Sequence, residues 1–461
     1  MKIKEIFDEI ANESSTNKKM EILAKYKDND LLKRVLYLAN SKRVKFYIKQ
    51  IPTYRKIQLG DTYGMLEDNL DKLKKLSDRE VTGNAAINLL TTILEYSDTD
   101  DAYIIERIIE KDCKIGMGTS NMNKVFPKLI EDTPYMGAKS FSEDLARKIF
   151  KDGPAYSQIK MDGRYCNAII RSGEVELESR QGEPTLVDGA LFLEELSNFP
   201  DCVLNGELTM DGISRYESNG IVASLISIGK KKLDGKDVLE EIAKFEEKHM
   251  PYQKALDSIR FTVWDTITVD EYFDAKSPIF YLNRLSLLQD RLVDIKPTMV
   301  SGIETKIVHT YGEAIAHFQE MLNKGFEGTI LKSAKGTWKD GKPNWQVKMK
   351  LEMDVDLKIV GFNYGTGKNA KVISSIDVQS SCGKLTTTPA GINEELMQYI
   401  TDNQDKLLNT ILEVTCSGLS QNKAGDYSLL HPRFKQFRDD KNTCDSLESI
   451  KEIEAMAKGL K

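Results

Sequence analysis

The apolar residues of this chain change their period once, and that change limits what each part can fold into. Up to about residue 130 they recur at helical spacing, as in Ile3, Ile6, Phe7 and Ile10 and again in Ile104, Ile105, Ile108 and Ile109, which predicts an all-helical module. Pro127 and Pro134 punctuate its end. From about residue 155 the period falls to two. EVELESR (174–180), IRFTVWDTI (259–267), FEGTILKS (326–333) and NWQVKMK (344–350) predict strands, with helices expected around 234–249 and 313–322. After Met353, short strand-like runs with Gly and Ser turns surround one helical stretch (394–409), a pattern that suits a small β-barrel. At 461 residues the chain exceeds one ordinary core. The expected division is a helical module at 1–130, a mixed α/β domain at 131–351 and a barrel at 352–461.

The residue inventory narrows the chemistry. No apolar run approaches the roughly 18 residues of a membrane helix, and Glu5, Asp8 and Glu9 stand where a secretory signal would be apolar. The expectation is a cytoplasmic protein without a membrane partner. Cys113, Cys166, Cys202, Cys382, Cys416 and Cys444 form no CxxC pair, which argues against a zinc ribbon or a disulfide framework. The four histidines include no HExxH. Catalysis must then rest on lysines, arginines and carboxylates.

A formal net charge of -6 hides a basic amino-terminal part. Residues 31–60 hold Lys33, Arg34, Lys42, Arg43, Lys45, Lys49, Arg55 and Lys56 with no Asp or Glu, interleaved with Tyr37, Phe46, Tyr47 and Tyr54. Such a run fits a surface that tracks a phosphate backbone, and equally a solvated helix face. A second cluster at 111–128 sets Lys111, Lys114, Lys124 and Lys128 among glycines and small polar residues, a segment able to offer backbone N–H groups to phosphates.

The reactive centre is expected at QIKMDGRY (158–165), where Lys160 ends a strand-like run and Asp162-Gly163 supplies a tight turn. Taken alone, this short motif is also what a surface turn looks like. A lysine becomes a nucleophile when burial or nearby cations penalise its ammonium form. Downstream follow SRQG (179–182), NGEL (205–208) at the end of a strand, VWD (263–265) mid-strand, FEGTILK (326–332) and VKMK (347–350). Alternation along a strand puts Lys348 and Lys350 on one face, where two cations can neutralise a triphosphate. Glu207 and Glu327 are hard-oxygen carboxylates of the kind that hold magnesium beside phosphates.

In order and approximate spacing these motifs resemble the nucleotidyltransferase superfamily of ATP-dependent DNA ligases, RNA ligases and mRNA capping enzymes. HPRFKQFRDDK (431–441) resembles the closing ligase motif, carried on an oligonucleotide-binding (OB-fold) barrel. LLKRVLYLANS, TGNAAI and KDCKIGMGTSNMNKVFP resemble the DNA ligases of T-even-type bacteriophages. The resemblance implies a multidomain chain with an all-α DNA-binding module, an α+β nucleotidyltransferase domain and an OB-fold domain. It implies an ATP-dependent DNA ligase that uses Mg2+ and seals nicked duplex DNA as a monomer encircling it. Lys160 would take AMP from ATP. Gln158 would read the adenine amino group, Ile159 would contact the AMP, and Trp264 would stack on the base or else belong to the core. Arg164 and Arg180 would contact AMP ribose or the nick phosphate, Glu207 and Glu327 the ribose and metal, and Lys348 and Lys350 the α-phosphate. Arg433, Arg438 and Lys441 would orient the pyrophosphate. Lys33, Arg34, Lys42, Arg43, Lys45, Lys49, Lys114 and Lys124 would grip DNA.

Two positions depart from the family pattern: Asn205 stands where Asp is usual, and Gln436 where arginine is common. The rival readings are an RNA ligase or capping-type guanylyltransferase with the same lysine chemistry, and a non-catalytic nucleic-acid-binding protein.

Overall fold

The computed structural model describes residues 2–48, 50–55, 64–213, 215–422 and 425–458, and falls into two compact units, Met1–Thr133 and Pro134–Lys461. In the first unit every regular element among the described residues is a helix: Ile3–Ala11, Thr16–Lys25, Asp30–Asn40, Leu66–Ser77, Gly83–Glu95, Thr99–Ile109 and Thr119–Val125. The helical period supplies the core, since Ile3, Ile6, Phe7 and Ile10 meet Leu32, Val35, Leu36, Ile104, Ile105 and Ile108 out of solvent. Asn29 and Asp98 cap their helices by accepting from Leu32 N and from the N–H groups of Asp100 and Asp101. The third helix stops at Asn40, so among the described residues the solvated-helix-face reading of the basic run covers Lys33 and Arg34. Residues 41–48 and 50–55 form no helix or strand.

The second unit holds two five-stranded sheets joined by the turn that carries Lys160. In the first, the strand order is Lys139–Ser140, Gln346–Lys350, Gly328–Ser333, Ala155–Ile159, Thr305–Val308. One face of it, with Ala155, Leu331, Val347 and Met349, packs on helices Glu143–Ile149 and Tyr311–Asn323 through Ala146, Ile149 and Ala314. Period-two alternation therefore turns Gln158, Ile330, Lys332, Gln346, Lys348 and Lys350 to the other face. The second sheet runs Glu174–Glu178, Arg164–Arg171, Cys202–Met210, Ile259–Ile267, Val300–Gly302. Its strand Cys202–Met210 continues two residues past NGEL, which lies within the strand and not at its end. Asn205 pairs with Asp265 and Gly206 with Val263, so Trp264 is the extra residue of a β-bulge, a device that re-aims a side chain.

From Met353 the chain forms a third five-stranded sheet in the order Thr386–Thr387, Ile373–Gln379, Met353–Tyr364, Ile411–Cys416, Arg433–Phe437, with helices Glu394–Leu407 and Leu447–Ala457 contributing Ile400 and Ile450 to its core. Among the described residues its two edge strands share no ladder, while single bridges from Leu385 to Tyr427 and from Ala390 to Arg433 link the segment around Thr386–Thr387 to the far edge.

Candidate active site

The cleft between the first two sheets is built around the Lys160 turn. Lys160 follows the last residue of strand Ala155–Ile159 and is fixed by its own N–H, which donates to Gly328 O at 2.9 Å. Gly163 passes so close to the next sheet that a Cβ there would lie 2.5 Å from Leu208 O; this approach lets its N–H donate to a Glu207 carboxylate oxygen at 2.7 Å. Gly328, at φ +141°, is held the same way, 2.1 Å from Met349 O to an added Cβ. Glycines in KxDG and FEGT are therefore steric requirements of two strands brought together.

Electrostatics in the cleft favour a reactive amine. Burial lowers the Lys160 pKa, with Lys348 and Lys350 adding to it and the charges of Glu207 and Asp162 opposing. Lys160 also makes an ion pair with Glu327, whose side chain is 8% exposed. Burial pushes Glu207 up to about 7 against the pull of the Gly163 N–H. Lys348 is lowered by burial, then by Lys342, Lys350 and Arg180.

Of the residues singled out from sequence, Gln158, Ile159, Lys160, Glu207, Trp264 and Lys348 line one cleft. Trp264, partly exposed at its bulge, belongs to the wall and not to the core. Lys350 shares the face of Lys348 and pairs with Glu352 at 3.0 Å. Arg180 stacks on a lining residue of the cleft, its guanidinium lying 4.1 Å from the Tyr135 ring centroid. Arg164 opens its strand with a buried Nε that has no partner among the described residues. The closing-motif cations are held on the third sheet: Arg433 by Glu352 at 2.6 Å, Arg438 by Asp440 and Asp356, Lys441 by Asp356. His431 comes nearer, 3.6 Å from Glu327. In the helical unit Lys33 pairs with Asp30, Arg34 with Asp71 and Lys114 with Glu110, while Lys124 donates to Asn121 Oδ1. Lys45 lies over the Tyr47 ring, and the Arg43 N–H donates to Glu131. Lys49 and Lys56 lie outside the described residues.

Sequence reading missed part of the cleft. Tyr135 packs edge-on to Tyr165 at 4.9 Å, and Tyr165 is 6.0 Å from Trp264, giving one wall three aromatics. Lys332 is buried at the other end, where loss of solvation lowers its pKa to about 7. Its position two residues from Ile330 on one strand face was the available signal. Asn205 answers one departure: its amide donates to Asn167 Oδ1 at 2.7 Å while its Oδ1 accepts from Trp338 Nε1 at 3.2 Å. A carboxylate would lose the first of these bonds. Gln436 donates to Glu413 at 2.6 Å.

Comparison with known proteins agrees with this geometry. Residues 135–350 match the family profile described as the ATP-dependent DNA ligase domain. The chain is 32% identical to the DNA ligase of Enterobacteria phage T4, with 97% of this chain and 98% of that one covered. It is 28% identical to the DNA ligase of Methanothrix thermoacetophila over 39% of this chain and 38% of the other. The solved structure named Pmar-Lig_PreS3 shares the fold at a TM-score of 0.54 and 22% identity, covering 95% of this chain and 99% of its own. A near full-length relative at that identity places the cleft in a known setting, and the chain belongs to the ATP-dependent DNA ligases.

Proposed function

We propose that this chain seals 5′-phosphate/3′-hydroxyl nicks in duplex DNA, with Lys160 as the residue that carries AMP. The observation that supports it most is the Lys160 amine in a cleft with Lys348, partly stripped of water and paired with Glu327. The unprotonated Nζ attacks the α-phosphorus of ATP; a P–N bond forms and the P–O bond to pyrophosphate breaks. Glu327 is the carboxylate beside the amine and takes the proton it must shed. AMP then passes to the 5′-phosphate of the nick, and the 3′-hydroxyl displaces it. Positioning and charge neutralisation do most of the work in such transfers, which suits a site of cations and carboxylates.

Among the described residues no three carboxylate, histidine or cysteine side chains converge as a ready-made metal cage. That fits magnesium, which is held by one or two carboxylates plus substrate phosphates and keeps several waters. Glu207 and Glu327 would hold it with the triphosphate, where it neutralises phosphate charge. Trp264 and the Tyr135–Tyr165 pair would flank the base and sugar, Lys348 and Lys350 the α-phosphate, and Arg164 and Arg180 the ribose or nick phosphate.

The same reading takes residues 1–130 as a DNA-gripping module, 131–351 as the nucleotidyltransferase domain and 352–461 as an OB-fold domain whose closing motif serves pyrophosphate release. The chain would encircle duplex DNA as a monomer in the cytoplasm. No helix among the described residues is long and apolar enough to cross a membrane. The test uses ATP labelled at the α-phosphate followed by denaturing electrophoresis. The wild type acquires an acid-labile label and Lys160→Ala does not; a label on the variant would sink the assignment.

A further inference from the structure

The Gln158 end of the cleft has a hydrogen-bond arrangement with a direction built into it. Gln158 Nε2 donates to Tyr281 Oη at 2.7 Å and to Thr305 Oγ1 at 2.9 Å. Each hydroxyl has one proton, and each gives it to a main-chain carbonyl. Tyr281 donates to Trp264 O at 2.7 Å and Thr305 donates to Ile303 O at 3.0 Å. Toward Gln158 both oxygens can therefore only accept. A flipped amide would set its carbonyl oxygen against two oxygens with no proton to offer. Lys332 Nζ, 3.3 Å from the same Tyr281 oxygen, fills its remaining lone pair. Burial and the nearby Asp265 charge raise the Tyr281 pKa, so the phenol keeps its proton. With both amide protons committed, the only polar atom Gln158 has left for a ligand is Oε1, an acceptor.

We infer that Tyr281 and Thr305 are positioning residues that lock the Gln158 amide as a hydrogen-bond acceptor, and that this lock selects a purine with a 6-amino group over one with a 6-oxo group. The inference rests on the reading that this cleft holds a nucleotide with its base at Gln158. A 6-amino group donates to Oε1. A 6-oxo purine places oxygen against oxygen at a side chain that is 1% exposed, and a mismatch of that kind discriminates strongly. The same Tyr281 hydroxyl holds the Trp264 carbonyl, so the residue that fixes the amide also fixes the bulge on the opposite wall.

The test compares ATP with inosine triphosphate, which exchanges the 6-amino group for an oxo group and adds the N1 proton. Both are labelled at the α-phosphate, and kcat/KM of adduct formation is measured on the full chain. The wild type prefers ATP. Tyr281→Phe and Thr305→Val each lower the ATP-to-inosine ratio several-fold, and the double variant lowers it by roughly tenfold or more, mainly through KM, as the amide becomes free to turn. Loss of packing alone would reduce use of both nucleotides alike, so a wild-type ratio in the double variant overturns the inference. Should a melting curve show the double variant unfolded, Thr305→Val, nearly isosteric, decides by the same ratio. Failure of the underlying reading looks different: a Gln158→Ala variant with the wild-type ratio removes the base contact itself, and no adduct from the wild type removes the nucleotide.

Discussion

Arg284 grips Asp265 through two parallel bonds, Nε to Oδ1 at 2.8 Å and Nη2 to Oδ2 at 2.9 Å, and both side chains are shut away from solvent. The third nitrogen of the fork donates to the carbonyls of Ile279 and Gly336. Asp265 directly follows the bulge at Trp264, so this pair ties helix Tyr281–Ile295 to the strand that forms one wall of the cleft. Replacing Arg284 with Leu leaves a buried carboxylate without its counter-charge. The expected loss is about 3–5 kcal/mol, read from the denaturant midpoint. A shift equivalent to less than about 1 kcal/mol would mean that the cleft wall does not depend on the pair.

Glu207 gives a pH signature. Its folded pKa of about 7 lies above the usual carboxylate value of 4.5, so the native chain holds a proton that the unfolded chain has released. The associated stability is fully present below about 4.5 and is lost as pH rises through 7. Relative to Glu207→Gln, the wild type should therefore lose stability from about pH 5 to about pH 7 and level off above that. Chemical denaturation at each pH checks this, and parallel curves would show that the carboxyl is not buried in solution.

Period made much of this fold legible. Strand Ile259–Ile267 and helices Leu239–Lys248 and Tyr311–Asn323 follow directly from spacing, because one face of each is apolar. Lys348 and Lys350 fall on one face by the same rule. What spacing could not give was any contact between distant segments. Helix Arg215–Leu233 went unread because its apolar residues are not confined to a single stripe. Tyr281 is not singled out by the sequence and Lys332 reads as an ordinary strand residue; only the approach of three elements makes Tyr281 the partner of both Gln158 and Lys332. The basic run from 31 to 60 contains no acid, yet Arg34 finds Asp71 across the fold.

The ion pairs of the closing motif bear on its proposed role. Arg433 is held by Glu352 in a pair exposed on both sides, worth about 0–1 kcal/mol, so it can exchange partners at little cost, whereas Lys441 pairs with Asp356, a largely buried carboxylate of strand Met353–Tyr364. If they orient pyrophosphate, Arg433→Ala with Lys441→Ala should reduce self-adenylylation by several orders of magnitude, at roughly 1.4 kcal/mol per tenfold, while a pre-adenylylated nick is still joined. Equal losses in the two assays would make the segment a structural or DNA-binding element.

The helical unit should reveal its partner through salt. If Lys42, Arg43 and Lys45 each touch a phosphate, changing all three to Gln should flatten the plot of log affinity against log salt by about 2.7, at about 0.9 per contact. Lys33 and Arg34 are paired with Asp30 and Asp71. Removing that pair of cations exposes two carboxylates to the DNA; affinity should then fall at low salt by more than the slope alone accounts for. A chain beginning at Pro134 keeps the whole nucleotide cleft, since its lining residues run from Tyr135 to Lys348. It should still form the AMP adduct while binding nicked duplex far more weakly and with a shallower salt dependence than the full chain. Nick affinities of all four proteins between low and physiological salt decide the matter. Parallel slopes with similar affinities would reduce residues 42–45 to a solvated loop and leave the grip on DNA to the second unit.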